Sequence, residues 1–527
     1  MIATKSIILL VVAALAMYHF ALRTNNPHAS TSSSCQSAFP NSIMATAWNR
    51  CLHWNSNDPD TGNNPSPKKK YGYFLHITDM HVDKNYIQGG TKKSACHRDP
   101  KEDRRYKAGR LGAPFEKCDA PVALAQETLD WISREWKDKL DFVIWTGDNA
   151  RHDWDRKEHR KRNQILELNK LVTDMMTDTF GDLPIIPTLG NNDVYPHNVV
   201  VDRDSILEYY HHLWLRWIPS DQRRQFLRGG YFAADIPGLK LRVVSLNTMY
   251  FFKKNKAVKN CRKEGPARDH LEWFEKQLQS ARNTGMRVIV MGHVPPSPRD
   301  YRKTCFKGYL DLAAEYADVI VSHHYGHLNM DHYLLYDTTQ SFSLYSQPYT
   351  YLDEDDEDEE DEPVFSITRN IAKYVGWLHD LYSSLDVDQD VLENPPPQVK
   401  SPLVAIQVSP SVIPKYYPSV RIYQYSVPEE DDHEREAGNG FELMNYTQYY
   451  ANITHWEMEH PEEPLEYQVE YSTRDDYDLE DLSASSLFKL AKYMVEGGND
   501  LWSAYTRNMF LRSQNDTIPG DLDDDVY

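Results

Sequence analysis

The sequence predicts an α/β domain built in layers, and three observations support this fold class. Short apolar runs alternate with amphipathic helical stretches from residue 68 onward. Polar side chains of the kinds that bind metals follow most of the apolar runs. Apolar residues make up 40% of the 527 positions and aromatic residues 12%, which is enough for a sizeable packed core. Alternating strands and helices are typical of layered α/β folds.

Six apolar runs are predicted to be buried strands, at 73–77, 142–145, 185–189, 241–246, 288–291 and 319–321. Pro187 conflicts with a central strand and indicates an edge or a strand end. Four stretches are predicted to be helices, at 121–136, 162–180, 271–280 and 309–317. In the second of these, apolar residues recur at i, i+3, i+4 and i+7, which places them on one helical face.

The remaining segments define the expected domain organisation. We expect a stem at 24–67, an α/β domain at 68–425 and a C-terminal region at 426–527 with a helix near 482–512. An insertion at about 351–400 contains ten consecutive acidic residues, 353–362. Such a block is normally a solvated loop.

The N-terminus carries a targeting signal. Lys5 precedes an apolar run at 7–22 that Arg23 closes. Its length fits a signal-peptide core, with Ala14-Leu15-Ala16 as a cleavage site, or a short membrane anchor. His19 weakens the anchor interpretation. In either case the chain leaves the cytosol; an anchor would give a cytoplasmic tail at 1–6 and a membrane helix at 7–23.

Two further features agree with translocation. The six cysteines suggest local disulfides, which close the shortest loops: Cys35–Cys51, Cys96–Cys118 and Cys261–Cys305. Free buried thiols are the alternative. Three sequons predict glycosylation at Asn445, Asn452 and Asn515.

The net charge of −20 argues against a general nucleic-acid-binding protein. Two basic clusters, 151–162 and 253–268, oppose this acidic background. The first suggests Arg151, Arg156 and Lys157 as residues that bind an anionic substrate, because arginine matches phosphate oxygens. The alternative is that both clusters are ordinary solvated surfaces.

Candidate ligands follow five of the predicted strands. They lie in the motifs Thr78-Asp79-Met80-His81, Thr146-Gly147-Asp148-Asn149, Gly190-Asn191-Asn192-Asp193, Gly292-His293 and Gly326-His327-Leu328-Asn329. Open α/β sheets bind ligands at the carboxyl ends of their strands. Carboxylate and imidazole donors suit two divalent cations, and paired ions clamp a phosphoryl group and activate a water.

In this order, the motifs resemble the calcineurin-like metallophosphoesterase family over about residues 70–335. GDNARHD, GNNDVYPHN and GHLNMDHY are similar to its acid sphingomyelinase-like branch, and most similar to the fungal vacuolar endopolyphosphatases. The resemblance implies a sandwich of two mixed β-sheets flanked by helices. It also implies cleavage of internal phosphoanhydride bonds of inorganic polyphosphate, and a single-pass type II protein of the vacuole membrane with a lumenal catalytic domain. A secreted protein is the alternative.

The resemblance also assigns ligands. Asp79 and His81 match the first metal site, Asp148 matches the bridging aspartate, and three residues match the second site: Asn191, His293 and His327. Asn329 stands where most of the family has a histidine, which leaves Mn, Mg, Zn, Co or Fe open as the metal. Asn192 replaces the histidine of the family's common GNH motif. His152 resembles the branch's proton donor; it could instead be a surface histidine.

The loop at 321–333 holds three more histidines, His323, His324 and His332. One of them could orient a ligand from the second coordination shell, whereas the other two are expected to be structural. Two other functions compete with polyphosphate cleavage: a phosphodiesterase acting on lipid or nucleotide, and a catalytically weak scaffold of the same fold.

Overall fold

The computed structural model describes residues 69–98, 108–339, 371–388, 392, 401–428, 440–497 and 499–513. The segments predicted at 1–6, 7–23 and 24–67 lie outside these residues, as do Cys35, Cys51, the acidic run 353–362 and Asn515. Within the described ranges, none of the helices is both long and apolar enough to cross a membrane.

Fourteen strands are found in the described part of the chain. In chain order they are β1 (Lys69–Ile77), β2 (Val82–Asp83), β3 (Ala120–Pro121), β4 (Phe142–Trp145), β5 (Ile185–Pro187), β6 (Phe232–Asp235), β7 (Leu241–Ser245), β8 (Arg287–Met291), β9 (Ile320–Tyr325), β10 (His332–Asp337), β11 (Leu403–Val408), β12 (Ser419–Pro428), β13 (Glu442–Tyr450) and β14 (Gln468–Ser472).

Eleven α-helices are found in the same residues. They are α1 (Val122–Glu135), α2 (Arg162–Phe180), α3 (Ser205–Leu213), α4 (Arg223–Gly229), α5 (Pro266–Asn283), α6 (Lys303–Glu315), α7 (Ile371–Ser383), α8 (Ile453–Glu459), α9 (Thr473–Tyr477), α10 (Ala484–Glu496) and α11 (Asn499–Met509).

The strands form two six-stranded mixed sheets. The first has the order β14-β13-β12-β1-β4-β5, and the second has the order β10-β11-β9-β8-β7-β6. Strands β1, β4 and β5 are parallel to one another, as are β7, β8 and β9. In the first sheet β12 is antiparallel to β1. In the second, β11 is parallel to β9, and β10 and β6 are antiparallel edge strands. The expected pair of mixed sheets is therefore confirmed.

The two sheets pack against each other through aromatic side chains. Phe74 and Tyr423 of the first sheet stack at 4.8 Å between ring centroids. The ring of His324 in the second sheet lies 5.7 Å from Phe74, 4.7 Å from Tyr423 and 5.7 Å from His76. All four side chains are buried. Burial of such large rings supplies much of the free energy that holds a sandwich together.

The predicted elements are found, with shifted ends. The strand predicted at 142–145 and the helix predicted at 162–180 have the predicted bounds. The strand predicted at 185–189 ends at Pro187, which cannot donate to a further ladder position. The strand predicted at 319–321 runs to Tyr325, so His323 and His324 belong to a strand and not to a loop. The single C-terminal helix is two helices, α10 and α11.

The boundary expected at residue 425 falls inside β12. Beyond it, β13 and β14 extend the first sheet. The region 426–527 therefore contributes strands to the sheet that contains β1, because β12 pairs with both β1 and β13.

Two of the three expected disulfides are present. Cys96 is bonded to Cys118, and Cys261 is bonded to Cys305. The second pair closes a loop of 44 residues and ties the segment before α5 to α6.

We predict that replacing Cys261 and Cys305 by serine lowers the free energy of unfolding by about 2–5 kcal/mol, because the unfolded chain regains the entropy of the open loop. Denaturant titration of the variant and the wild type measures this difference. Equal unfolding midpoints and slopes would show that the bond contributes no stability.

Candidate metal centre

The candidate ligands lie where the central strands end. Asp79 follows β1, Asp148 follows β4 and Asn191 follows β5 in the first sheet. His293 follows β8 and His327 follows β9 in the second sheet. Since these strands are parallel within each sheet, their carboxyl ends bring the five side chains to one edge of the sandwich.

The loops that carry the ligands adopt an unusual backbone. Five of the thirteen non-glycine residues with positive φ in the described ranges are candidate ligands: Asp79, His81, Asp148, His327 and Asn329. Their φ values lie between 40° and 71°. The left-handed region costs free energy for a residue with a Cβ, and such residues cluster at functional sites.

Close packing of the loops requires two glycines. A Cβ on Gly190 would collide with the Asp148 carboxylate, and a Cβ on Gly326 would collide with Thr78 and the Asp79 carboxylate. Gly190 therefore lets the loop after β5 approach the loop after β4, and Gly326 lets the loop after β9 approach the loop after β1.

One group of ligand atoms surrounds His81. Its Nε2 lies 3.4 Å from Asp79 Oδ1 and 3.5 Å from Asp148 Oδ2. These three buried side chains could hold one cation between them.

A second group shares the same aspartate. His293 Nε2 lies 3.2 Å from Asp148 Oδ2 and 3.0 Å from Asn191 Oδ1. His327 Nδ1 lies 3.2 Å from His293 Nε2. Oδ2 of Asp148 therefore faces both groups, which is the position of a bridging carboxylate.

Backbone carbonyls orient two of the imidazoles. His81 Nδ1 lies 3.1 Å from the carbonyl oxygen of Ala150, and His293 Nδ1 lies 2.8 Å from that of Thr146. A carbonyl can only accept, so Nδ1 carries the proton and Nε2 presents its lone pair to the cluster. This arrangement is the usual support of a metal-bound histidine.

Two buried oxygen atoms support a cation in this cluster. Asp79 Oδ1 and Asn329 Oδ1 are both buried, and neither has a hydrogen-bond partner within the part of the chain that is described. A buried acceptor without a partner is costly. Coordination of a divalent ion would satisfy both, so the residues present fit a metal pair.

The electrostatics agree with a cation site. Burial lowers the pKa of His81, but the carboxylates of Asp79 and Asp148 outweigh it and raise this pKa to about 9. Burial also lowers the pKa of His293, but the Asp148 carboxylate outweighs it and raises this pKa to about 9. The site thus favours positive charge between its carboxylates.

Asp193 and Asn192, which were not expected to act, hold the bridging aspartate. The Asp193 carboxylate accepts hydrogen bonds from the backbone amides of Asp148, Asn149, Ala150 and Gly190, at 2.8–3.2 Å. Asn192 donates to Asp148 from its backbone at 2.7 Å and from its side chain at 2.8 Å. The motif GNND contained this signal: an aspartate three residues after a glycine can close a turn.

His152 lies beside the first group of ligands. Its ring stacks on His81 at 4.0 Å and on Trp154 at 4.1 Å between centroids. Its Nδ1 lies 2.6 Å from Oδ1 of the buried Asp119, whose other oxygen accepts from the His152 backbone amide. Burial and the charge of His81 lower the pKa of His152, and Asp119 opposes them. Asp119 was missed because a lone aspartate after Cys118 carries no motif.

The other histidines of the 321–333 segment are structural. His323 Nδ1 lies 2.6 Å from the Tyr309 hydroxyl, His324 Nε2 lies 2.7 Å from the Ser322 hydroxyl, and His332 Nε2 lies 2.6 Å from the Tyr374 hydroxyl. Burial lowers the pKa of all three. Among the described residues, their hydrogen bonds go to core groups, so the interpretation of one as an orienting group is not supported.

The three candidate substrate-binding residues of the first basic cluster, 151–162, differ in burial. Arg151 is buried, and its guanidinium donates to the carbonyl oxygens of His152 and Glu158. These contacts hold the loop, and substrate binding by Arg151 stays a prediction. Arg156 and Lys157 are exposed and stay candidates for substrate binding.

Two predicted glycosylation sites are described. Asn445 lies half-buried on β13, and its Oδ1 accepts hydrogen bonds from Ser472, Thr473 and Arg474. Asn452 caps α8 by accepting from the His455 amide. Glycosylation at both stays a prediction.

The sandwich and the shared aspartate define a metallophosphoesterase fold. Residues 72–328 match the family Calcineurin-like phosphoesterase, and residues 399–522 match the family Acid sphingomyelin phosphodiesterase C-terminal region. The chain belongs to the calcineurin-like phosphoesterases.

Several fungal proteins named Endopolyphosphatase are similar to this chain. That of Cryptococcus neoformans is 36% identical over 401 residues, covering 68% of this chain and 59% of its own length. That of Saccharomyces cerevisiae is 34% identical over 416 residues, covering 68% and 62%. That of Schizosaccharomyces pombe is 31% identical over 422 residues, covering 77% and 69%. The chain thus spans about six-tenths of the length of the first two.

Among solved structures, a dimetal phosphatase from Danio rerio matches 72% of this chain and 95% of its own, with 11% identity and a TM-score of 0.37.

We predict that Asn329→His raises the affinity for Zn²⁺ by at least about tenfold, the scale on which even outer-shell changes alter metal affinity. Imidazole suits Zn²⁺ better than an amide oxygen does. Competition with a chromogenic chelator measures the change. Asn283→His, on the exposed end of α5, is the matched control. An unchanged Zn²⁺ affinity in Asn329→His would exclude Asn329 from the site.

Proposed function

We propose that this protein is a metal-dependent hydrolase that cleaves internal phosphoanhydride bonds of inorganic polyphosphate. The observation that carries the proposal is the Asp148 carboxylate, whose Oδ2 lies within 3.5 Å of one histidine from each group of ligands. The name shared by the fungal relatives supports polyphosphate as the substrate.

The residues divide into two metal sites with one shared ligand. Asp79, His81 and Asn329 would hold the first divalent ion, and Asn191, His293 and His327 would hold the second, with Asp148 between them. When bound, such a pair supplies polarisation of the phosphoryl group and an activated water. The identity of the ions stays open.

His152 would donate the proton that the departing phosphate oxygen requires. Asp119 holds a proton on Nδ1 and stabilises the doubly protonated ring, so Nε2 is the nitrogen that delivers the proton. Stacking between His81 and Trp154 fixes the plane of the ring. Positioned acid catalysis of this kind contributes typically about 10²–10⁴-fold in rate.

We further propose the cellular context from the sequence. The segment 7–23 would be a signal anchor that places the domain from residue 68 onward in the lumen of the vacuole, with 24–67 as a stem. The exposed Arg156 and Lys157 would form part of a cationic rim that attracts the polyanion.

A phosphodiesterase acting on a lipid or nucleotide is the second candidate. The match of residues 399–522 to the Acid sphingomyelin phosphodiesterase C-terminal region favours it. Within that region, β12, β13 and β14 belong to the first sheet and β11 belongs to the second.

We predict that the purified protein shortens long-chain polyphosphate through intermediate lengths in the presence of divalent metal. A chelator and Asp148→Asn should each abolish the shortening, because both remove the ion pair. Gel electrophoresis of the products measures it.

The same gel separates the alternatives. Release of orthophosphate without intermediates would indicate an exo-enzyme. Intact polyphosphate with every metal, together with cleavage of sphingomyelin or a nucleotide diester, would favour the second candidate.

We also predict that His152→Gln lowers kcat for polyphosphate about 10²–10⁴-fold. A substrate with a good leaving group, such as a p-nitrophenyl ester, needs no proton donor and should lose much less. Steady-state kinetics on both substrates test this, with the exposed His159→Gln from the same loop as the control. Equal losses on both substrates would contradict the proton-donor role.

A further inference from the structure

A half-buried lysine without a partner lies next to the proposed proton donor. The ammonium of Lys415 lies 5.9 Å from the centroid of the Trp154 ring, which stacks on His152. Within the described residues it makes no hydrogen bond or ion pair with any side chain or carbonyl oxygen. It lies in the segment 413–419, IPKYYPS, which leads from β11 into β12.

The backbone fixes this lysine relative to the metal ligands. The Ile413 amide donates to the Asp79 carbonyl oxygen at 2.9 Å, and the Lys415 amide donates to the Ile413 carbonyl oxygen at 2.7 Å. The backbone of Lys415 is therefore fixed close to Asp79, because Ile413, two residues earlier, is hydrogen-bonded to it.

The surroundings of Lys415 favour an anion. Burial and the charge of Lys117 lower the pKa of Lys415 to about 8, while Asp119 and Glu116 oppose them. At the acidic pH of a vacuole Lys415 would still be charged. A bound anion would stabilise the charged form of Lys415, whose ammonium has no hydrogen bond or ion pair among the described residues.

A second lysine lies near the group of ligands that contains His327. The ammonium of Lys254 lies 5.6 Å from the Phe252 ring, and Phe252 meets the His327 ring edge-on at 5.5 Å. Lys254 is half-buried, and its charge lowers the pKa of His327 and of His197. The charge of Lys254 also acts to lower the pKa of the buried Asp300 carboxyl, against the effect of burial. No hydrogen bond of its ammonium is found in the described ranges.

The two lysines are the ends of one continuous row of contacts through the metal centre. From Lys415 the row passes through Trp154, His152, His81, Asp148, His293, His327 and Phe252 to Lys254. Asp148 lies in the middle of this row, and each successive step is between 3.2 and 5.9 Å.

We propose that an extended phosphate chain lies along this row, with Lys415 binding phosphates on the His152 side of the cleaved bond and Lys254 binding phosphates on the His327 side. This inference rests on the proposed function and adds the direction of the substrate. A chain that is bound on both sides of the reacting phosphorus is cut internally, whereas an exo-enzyme needs binding on one side alone.

Removing either charge tests the proposal. Lys415→Met and Lys254→Met keep the side-chain length and remove the charge. Each should raise KM for long-chain polyphosphate about tenfold, the scale of one charge-assisted hydrogen bond. KM for tripolyphosphate should rise less, because three phosphates are too short to span the row. Lys415→Arg should restore most of the affinity for the long chain.

The control is Lys276→Met, on an exposed position of α5, which should match the wild type. Melting temperatures confirm that each variant is folded. An unchanged KM for long chains, or an equal rise for both chain lengths, would overturn the inference while the proposed function stands.

Failure of the proposed function gives a different result. If the wild type leaves polyphosphate intact, direct binding of long-chain polyphosphate to the wild type and to the two methionine variants decides the inference. About tenfold weaker binding in both variants would support the row of phosphate contacts. Equal binding by all three proteins would overturn it.

Discussion

The Asp193 carboxylate is the constraint on which the rest of the site depends. Its hydrogen bonds to four backbone amides join the turn after β4 to the turn after β5. A buried carboxylate needs several donors to offset its desolvation, and here the donors are the backbone of the ligand loop itself. Burial and the nearby Asp148 raise the pKa of Asp193, which shows how closely two carboxylates are packed. The hydrogen bond from the Asp148 amide to Asp193 holds the Asp148 backbone in the position from which its carboxylate faces both groups of candidate ligands.

The region after residue 400 completes this constraint from the other side. Backbone amides of Val412 and Ile413 donate to the carbonyl oxygens of Thr78 and Asp79. Asp331, two residues after Asn329, accepts from Arg421 and Tyr471, and its amide donates to the Met509 carbonyl oxygen. The loops that carry Asp79 and Asn329, two candidate ligands, are thus attached to the C-terminal part of the chain. A boundary drawn at 425 would divide a structure that positions the ligands.

The sequence predicted the strands, their order of motifs and the ligand cluster because each depends on local pattern. An apolar run followed by a glycine and a donor can be recognised without knowing what packs against it. It could not predict the roles of Asp119 and Lys415, because each comes close to His152 or Trp154 only when the chain is folded. For Asp193 the GNND motif contains a signal for a turn, but not the four backbone amides that its carboxylate binds. The hydrogen bonds of Arg151 could not be predicted for the same reason: a basic residue after a ligand motif looks the same whether its donors face solvent or carbonyl oxygens.

The crowded histidines of segment 321–333 show why residue type alone does not identify a metal ligand. His323 and His324 are adjacent on β9, so their side chains point to opposite faces of the sheet. Both faces are covered, one by α6 through Tyr309 and the other by the first sheet through Phe74 and Tyr423. Each imidazole is therefore neutral and buried, with a hydroxyl as its partner. His327 differs by its left-handed backbone after the strand has ended, which turns its ring toward Asp148 and His293. The end of β9, and not the number of histidines, separates a candidate metal ligand from the core.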